Sequence, residues 1–141
     1  MPKVGQYWVS MELYYTREHT WARIERDGKV TVGVDDFASK TAGEIMALQM
    51  ATVGSEVEQM KVFGQIESSK CIAELYSPFS GRILAANQEA VNDPHLLNQD
   101  PYGAGWLIVI QPARFNEELM NLLQGEAAIE WLTQVERATK N

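Results

Sequence analysis

Cysteine occurs once in these 141 residues and histidine twice, and the longest apolar run is only Trp106-Leu107-Ile108-Val109-Ile110. A lone Cys71 excludes an intrachain disulfide framework, so stability has to come from a packed core, and a reducing cytoplasm is the expected compartment. An apolar run that short cannot span a bilayer, and Met1 to Trp8 carries no stretch of signal-peptide length. Basic side chains are also scarce. Twelve Lys and Arg against nineteen Asp and Glu give a formal charge of −7, which argues against nucleic acid or an anionic membrane as the main partner. His19 and His95 lie far apart, with no cysteine or carboxylate cluster at ligand spacing, so no metal is expected. His19 is expected to pack or hydrogen-bond at a strand start, and His95 to sit in a loop after Pro94.

What the chain does contain is 45% hydrophobic residues, enough for one packed domain over 1–141. The pattern is mainly β. Trp21–Glu25 and Lys29–Val34 flank Asp27-Gly28, a dipeptide suited to a tight hairpin turn. Asp35-Asp36 offers a helix N-cap before a short helix that Gly43 ends. Gly43-Glu44-Ile45-Met46-Ala47, with Val53 after it, is echoed by Gly81-Arg82-Ile83-Leu84-Ala85, with Val91 after it. The echo reads either as a duplicated β unit or as two similar strands that each follow a glycine. After a strand over Trp106–Ile110, Pro112 is expected to open a helix with Phe115, Leu119, Leu122 and Leu123 on one stripe and Gly125 as its stop. A second helix follows with Ala128, Trp131 or Leu132, and Val135 inward, fraying over Glu136 to Asn141. The core is thus placed at about 15–111 and a helical segment at about 112–136.

Lys70 stands within Val62–Leu75, flanked by two strand-like runs, where polar residues collect and the chain should reverse. A lysine at a hairpin tip is presented to any enzyme that approaches it. A solvated lysine amine is a poor nucleophile at neutral pH, so acylation of Lys70 by another enzyme is more plausible than catalysis by it.

The neighbourhood of this lysine is distinctive. Gly64-x-Ile66-Glu67-Ser68-x-Lys70, then Tyr76-Ser77-Pro78-x-Ser80-Gly81-x-Ile83, resembles the lipoyl-lysine signature of the glycine cleavage system H protein family. Tyr15-Thr16-x-Glu18-His19-x-Trp21, Thr31-Val32-Gly33-Val34-x-Asp36-x-Ala38, Val53-Gly54, Asn87, Pro94-x-Leu96-Leu97-Asn98 and Asp100-Pro101-Tyr102-Gly103-x-Gly105-Trp106 follow in family order. The resemblance implies a barrel-sandwich hybrid of the lipoyl/biotinyl type with short peripheral helices, α+β only at its edges. It also implies lipoate attached covalently to Lys70 and a carrier that catalyses nothing alone. The implied partners are a lipoate-attaching enzyme and the glycine cleavage enzymes: decarboxylase, aminomethyltransferase and dihydrolipoamide dehydrogenase. Biotin carriers usually place methionine on both sides of their lysine, and Ser69 and Cys71 stand there instead.

Several positions depart from the family pattern. His19-Thr20-Trp21 lacks the usual central glutamate, Gln49-Met50 replaces Leu-Pro, Met60-Lys61 replaces a glycine-acidic turn, and Ser69-Lys70-Cys71 replaces Val-Lys-Ala. These departures favour the similar lipoate-binding proteins of sulfur oxidation, which serve a heterodisulfide-reductase-like complex. A genuine glycine cleavage carrier is the alternative. Cys71 reads either as a small residue starting a strand or as a thiol able to exchange with the arm. Glu67 and Glu74 read as recognition points for the lipoylating enzyme or as solvated strand residues, and His19 is a further recognition candidate. An unlipoylated binding or regulatory module, and a thiol enzyme built on Cys71, complete the alternatives.

Overall fold

The computed structural model describes residues 1–140. Strands β1 (Lys3–Val4) and β2 (Tyr7–Trp8) form an antiparallel hairpin, turned at Gly5 with φ 58°. β3 (Tyr14–Tyr15), β4 (Thr20–Ile24) and β5 (Val30–Val34) follow, then α1 (Asp36–Thr41) and β6 (Ile45–Met50). β7 (Glu56–Val57), β8 (Val62–Ser68), β9 (Ile72–Tyr76) and β10 (Gly81–Ala86) complete the middle of the chain. The last elements are α2 (Gln88–Asn92), α3 (Leu96–Gln99), β11 (Ile108–Pro112), α4 (Phe115–Leu119), β12 (Leu123–Gln124) and α5 (Glu126–Lys140).

All strand pairs are antiparallel. The larger sheet runs β12-β3-β4-β5-β11-β10-β7, and a three-stranded sheet runs β6-β8-β9. Their inner faces share one core: Val30, Val32, Ile83, Ile108 and Ile110 from the larger sheet meet Ile45, Leu48, Phe63, Ile66 and Leu75 from the smaller. Each such buried side chain contributes roughly 1.5–3 kcal/mol. The exposed Arg23–Glu25 and Arg82–Glu56 pairs add little after solvent screening. The fold is therefore held by this sandwich interior.

Buried side chains also lie outside the 15–111 range expected for the core. Val4, Tyr7, Val9 and Leu13 join Trp21 and Phe37 and, from α5, Ala128 and Leu132, in a second cluster. Gly33 makes room there, because a Cβ at that position would collide with the Trp21 indole.

The echo between residues 43–47 and 81–85 has a structural counterpart. Ile45 and Ile83 are both fully buried, Met46 and Leu84 both exposed, and the ladder register shifts at the same place in each strand, between Ile45 and Ala47 and between Ile83 and Ala85. The two segments lie in different sheets. A shared bulge at equal offset supports a duplicated unit, since similar hydrophobicity alone specifies no bulge. The likeness ends before Val53, which is in a turn, while Val91 is in α2.

Two expectations for the C-terminal part are corrected. The strand expected over Trp106–Ile110 is displaced to Ile108–Pro112, so Pro112 closes a strand and opens no helix. The expected long helix is only Phe115–Leu119, and Leu123 enters β12, paired with Tyr15. Phe115, Leu119 and Leu122 pack on the sandwich core whereas Leu123 packs on the second cluster, so one helical stripe could not serve both. The inward face expected for the final helix is present, but α5 continues to Lys140; Asn141, the end of the expected frayed stretch, lies outside the described residues.

Candidate functional site

Lys70 sits in the turn between β8 and β9, exposed to solvent. Ser68 organises this tip. Its Oγ accepts the N–H of Lys70 at 3.2 Å and of Cys71 at 3.2 Å, and its N–H donates to Cys71 O at 2.8 Å. Such local side-chain bonds replace the ladder where the strands part. The Ser69 N–H donates to Glu44 O at 3.0 Å, which pins the tip to the segment after α1. Gly43, at φ 81°, permits the approach: a Cβ there would stand 3.0 Å from Ser69 Oγ and 3.4 Å from the Lys70 stem. Lys70 Nζ reaches Thr41 O at 3.5 Å, at the end of α1.

Beside the lysine lies a cleft of about 420 Å³. One wall is the outgoing strand of the hairpin, Cys71 to Tyr76, and the opposite wall is α1 through Phe37, Ala38, Thr41 and Ala42, with His19 on its border. α1 starts where it does because Asp35 caps it, its Oδ1 accepting the Ala38 N–H at 2.8 Å. The other oxygen of Asp35 lies 2.8 Å from His19 Nδ1. Burial pushes the Asp35 carboxyl above the ordinary carboxylate range, against the lowering effects of His19 and the Ala38 N–H. The His19 ring stacks on Phe37 at 4.7 Å and faces Trp131 of α5 at 5.0 Å.

The structure thus brings Cys71, Glu74 and His19 onto one cleft, with Lys70 next to it through Cys71 and Thr41, and leaves Glu67 outside it, exposed on β8 opposite Ile72. Cys71 is exposed, its Sγ 3.9 Å from Ser68 Oγ. Thr20, in place of a glutamate, is buried, with its hydroxyl on Thr16 Oγ1 at 2.7 Å and on Tyr76 O at 2.9 Å. His95, at the start of α3, does not line the cleft and bonds to Glu44. Sequence reasoning singled out Asp35 only as a helix cap and gave Thr41 and Trp131 no place at the site; these residues are far apart in the chain and only the fold joins them. Among the described residues no group of three metal-ligating side chains stands together, and no helix is long and apolar enough to cross a membrane.

A two-sheet β body that presents an exposed lysine on a hairpin tip has the architecture of a carrier protein. The sequence model of the family described as "Glycine cleavage H-protein" matches residues 13–135. A relative from Pyrococcus abyssi, named "Probable glycine cleavage system H protein", is 42% identical over 132 residues, covering 94% of this chain and 98% of that protein. The "Glycine cleavage system H protein" of Mycobacterium leprae is 44% identical over 100 residues, covering 71% of this chain and 76% of that protein. The crystal structure of a glycine cleavage system H protein from Mycobacterium marinum superposes with a TM-score of 0.77 at 33% identity, covering 91% of this chain and 99% of that one.

The chain belongs to the glycine cleavage H-protein family, and its fold is the expected lipoyl-type β sandwich. Members of this family are non-catalytic subunits that carry covalent lipoate and act with partner enzymes. The sulfur-oxidation pathway and the heterodisulfide-reductase-like partner, favoured on the sequence departures, find no support in these matches; the glycine cleavage alternative fits them better.

Proposed function

We propose that this chain is the H-protein carrier of glycine cleavage, lipoylated on Lys70 and handling the aminomethyl group. The observation that carries the reading is the position of Lys70: exposed on a braced hairpin tip, with a 3.5 Å contact from its Nζ to Thr41 O among the described residues. The names of the relatives support the pathway. Lipoate on this lysine supplies a dithiolane that takes up a group at one enzyme and gives it up at another. The chain's own residues supply tethering and shelter. Ser68, Gly43 and Glu44 fix the direction in which the lysine leaves the body, which raises the local concentration of whatever it bears at a partner's site. The cleft next to the lysine, with apolar Phe37, Ala42, Ile66 and Leu75 along it, offers cover from water. Glu67, exposed and outside the cleft, is left for the lipoate-attaching enzyme, and Glu74 for that enzyme or the cleft.

Intact-mass measurement and peptide mapping, without reductant, on protein from its own source test this reading. The Lys70 peptide should carry a lipoyl adduct, and Lys70→Arg should lose it while changing stability by no more than about 0.5 kcal/mol. An unmodified Lys70 in folded native protein overturns the carrier reading and leaves a binding module.

A further inference from the structure

We propose that the β1–β2 hairpin is a releasable strap behind α1, and that its release lets α1, the cleft wall opposite β9, swing away while the sandwich stays folded. The device sets the width of the cleft whatever Lys70 carries, so it stands or falls apart from the carrier reading.

The strap grips one side of α1, and the cleft lies on the other. Trp8 is held by both of its backbone groups: its N–H donates to Asp36 Oδ2 at 2.8 Å, and its carbonyl accepts the Tyr102 hydroxyl at 2.9 Å. Lys40 Nζ bridges from Asp36 Oδ2 at 2.9 Å to the Gln6 carbonyl at 2.9 Å. Beside these bonds the Tyr7 ring meets Phe37 edge-on, with centroids 4.9 Å apart. Phe37 also borders the cleft, where Ala38, Thr41 and Ala42 complete the wall. The residues that touch the strap and those that line the cleft thus belong to one six-residue helix.

Neither element is stable alone. A hairpin of two two-residue strands and a helix of six residues are each too short to persist in water without tertiary contacts. They hold each other, so they open together. The packing around them is loose. A hollow of about 510 Å³ lies against Trp8, Asp36, Lys40 and Tyr102, and another of about 450 Å³ against Gln6, Tyr7 and Thr41. Thr41 borders both the second hollow and the cleft, and a wall with open space before and behind it forfeits dispersion contacts on both faces. The strap's remaining hold is apolar: Val4 and Tyr7 join Ala128 and Leu132 of α5, which makes its release rarer than the fraying of a chain end.

The far side of α1 supplies the pivot. Ser39 Oγ donates to Leu97 O at 2.6 Å, and Asn98 Nδ2 donates to Ser39 O at 3.0 Å and to Gly43 O at 2.8 Å. These bonds to α3 do not involve the strap, so α1 tilts about them when the strap leaves. The strap also precedes residues 13–135, the stretch that the family model matches, whereas α1, α3 and the sandwich lie inside it.

Native-state amide exchange on the whole protein tests the proposal. Val9 N–H, bonded to Pro2 O at 2.9 Å, reports the strap. Ser39 N–H on Asp35 O at 3.1 Å and Ala42 N–H on Ala38 O at 3.0 Å report α1, and Leu107 N–H on Val32 O at 2.8 Å reports the sandwich. The first three should exchange through one opening with a weak denaturant dependence, while Leu107 waits for global unfolding. Ile110→Val, in the sandwich core, should speed Leu107 by about threefold to tenfold and leave the other three unchanged. Lys40→Met, at an exposed side chain that leaves folding intact, should speed Val9, Ser39 and Ala42 together by about twofold to fivefold. In a Cys71→Ser, Ala42→Cys protein, which puts the one thiol on the cleft face of α1, Lys40→Met should quicken maleimide labelling by the same factor. Strap and α1 amides that follow Leu107 in denaturant and in Ile110→Val overturn the proposal. Labelling indifferent to Lys40→Met overturns it as well, because the strap would then open without moving the wall.

Discussion

His95 Nε2 stands 2.7 Å from Glu44 Oε1, and the backbone carbonyl of the same Glu44 holds the Ser69 N–H next to Lys70. One residue therefore links α3 to the hairpin tip. Asp93 approaches the other ring nitrogen of His95 at 3.5 Å.

The Glu44 hydrogen bond, with the charges of Glu44 and Asp93, raises the pKa of His95 above the ordinary histidine value near ~6.5. A raised folded-state pKa means that protonation favours the folded state. The contribution is fully present below the unfolded value and is lost as pH rises through the folded one. The stability advantage of the wild type over His95→Gln should therefore be largest in mild acid and shrink on passing to weakly alkaline solution. Urea unfolding of both proteins at several pH values measures it. A gap that stays constant across that range would contradict the linkage. Amide exchange at Ser69 should quicken in parallel, since its acceptor is carried by Glu44.

Met60 marks a place where this chain departs from the family and the structure shows a local cost. It has φ 64° in the turn before β8, its N–H bonded to Ser77 O at 2.7 Å, and its side chain is partly exposed. A left-handed non-glycine residue costs roughly 1–2 kcal/mol, whereas glycine pays mainly in unfolded-state entropy of roughly 0.5–1 kcal/mol. Met60→Gly should accordingly raise stability by about 0.5–1 kcal/mol, and Met60→Val, branched at Cβ, should lower it. Thermal melts of the three proteins decide the matter, and a lower melting temperature for the glycine variant would refute the strain argument.

The parts of the fold that the sequence exposes are those with local causes. Asp27-Gly28 turns its hairpin, with Gly28 at φ 88°; Asp35 caps α1; Ser68 to Cys71 reverse the chain at Lys70. Elements decided by distant contacts were less legible. The β1–β2 hairpin is two very short strands, stabilised by Tyr7 on Phe37 and by Trp8 N–H on Asp36, so its periodicity is too brief to read. Leu119 and Leu123 are spaced for one helical face, yet they belong to opposite sides of the larger sheet, a separation that hydrophobic period cannot encode. At the site, Lys70 was legible as a hairpin tip with a motif around it. The His19–Asp35 pair was not, because it depends on the register that places Thr20 opposite Val34 and so sets residues 16 apart side by side.

Glu118 explains why α4 is anchored although it is short. The carboxylate is buried, with Oε1 accepting the Ser80 N–H at 2.7 Å and Oε2 accepting the Ser80 hydroxyl at 2.6 Å. Arg114 adds a 3.8 Å charge contact and a 3.2 Å bond to Ser80 Oγ, and Gln59 Nε2 donates to Glu118 O at 2.8 Å. Nearby, Phe115 stacks on Phe79 at 5.3 Å. Removing the carboxylate leaves the Ser80 N–H without its acceptor in a buried site, so Glu118→Ala should cost about 2–4 kcal/mol. Glu118→Gln keeps the volume and one carbonyl acceptor for the Ser80 N–H, but Ser80 Oγ already accepts from the Gln59 N–H at 2.9 Å and from Arg114 at 3.2 Å, so it must give up one of these to accept from the new amide; about 1–2 kcal/mol is expected. Both values come from chemical denaturation with unchanged m-values, and the order Ala worse than Gln is the decisive feature. A loss near zero for Glu118→Gln beside the full loss for Glu118→Ala would mean that packing of the side-chain stem, and not the charged bonds to Ser80, holds α4 against the turn that opens β10, whereas equal losses would assign that role to the carboxylate charge alone.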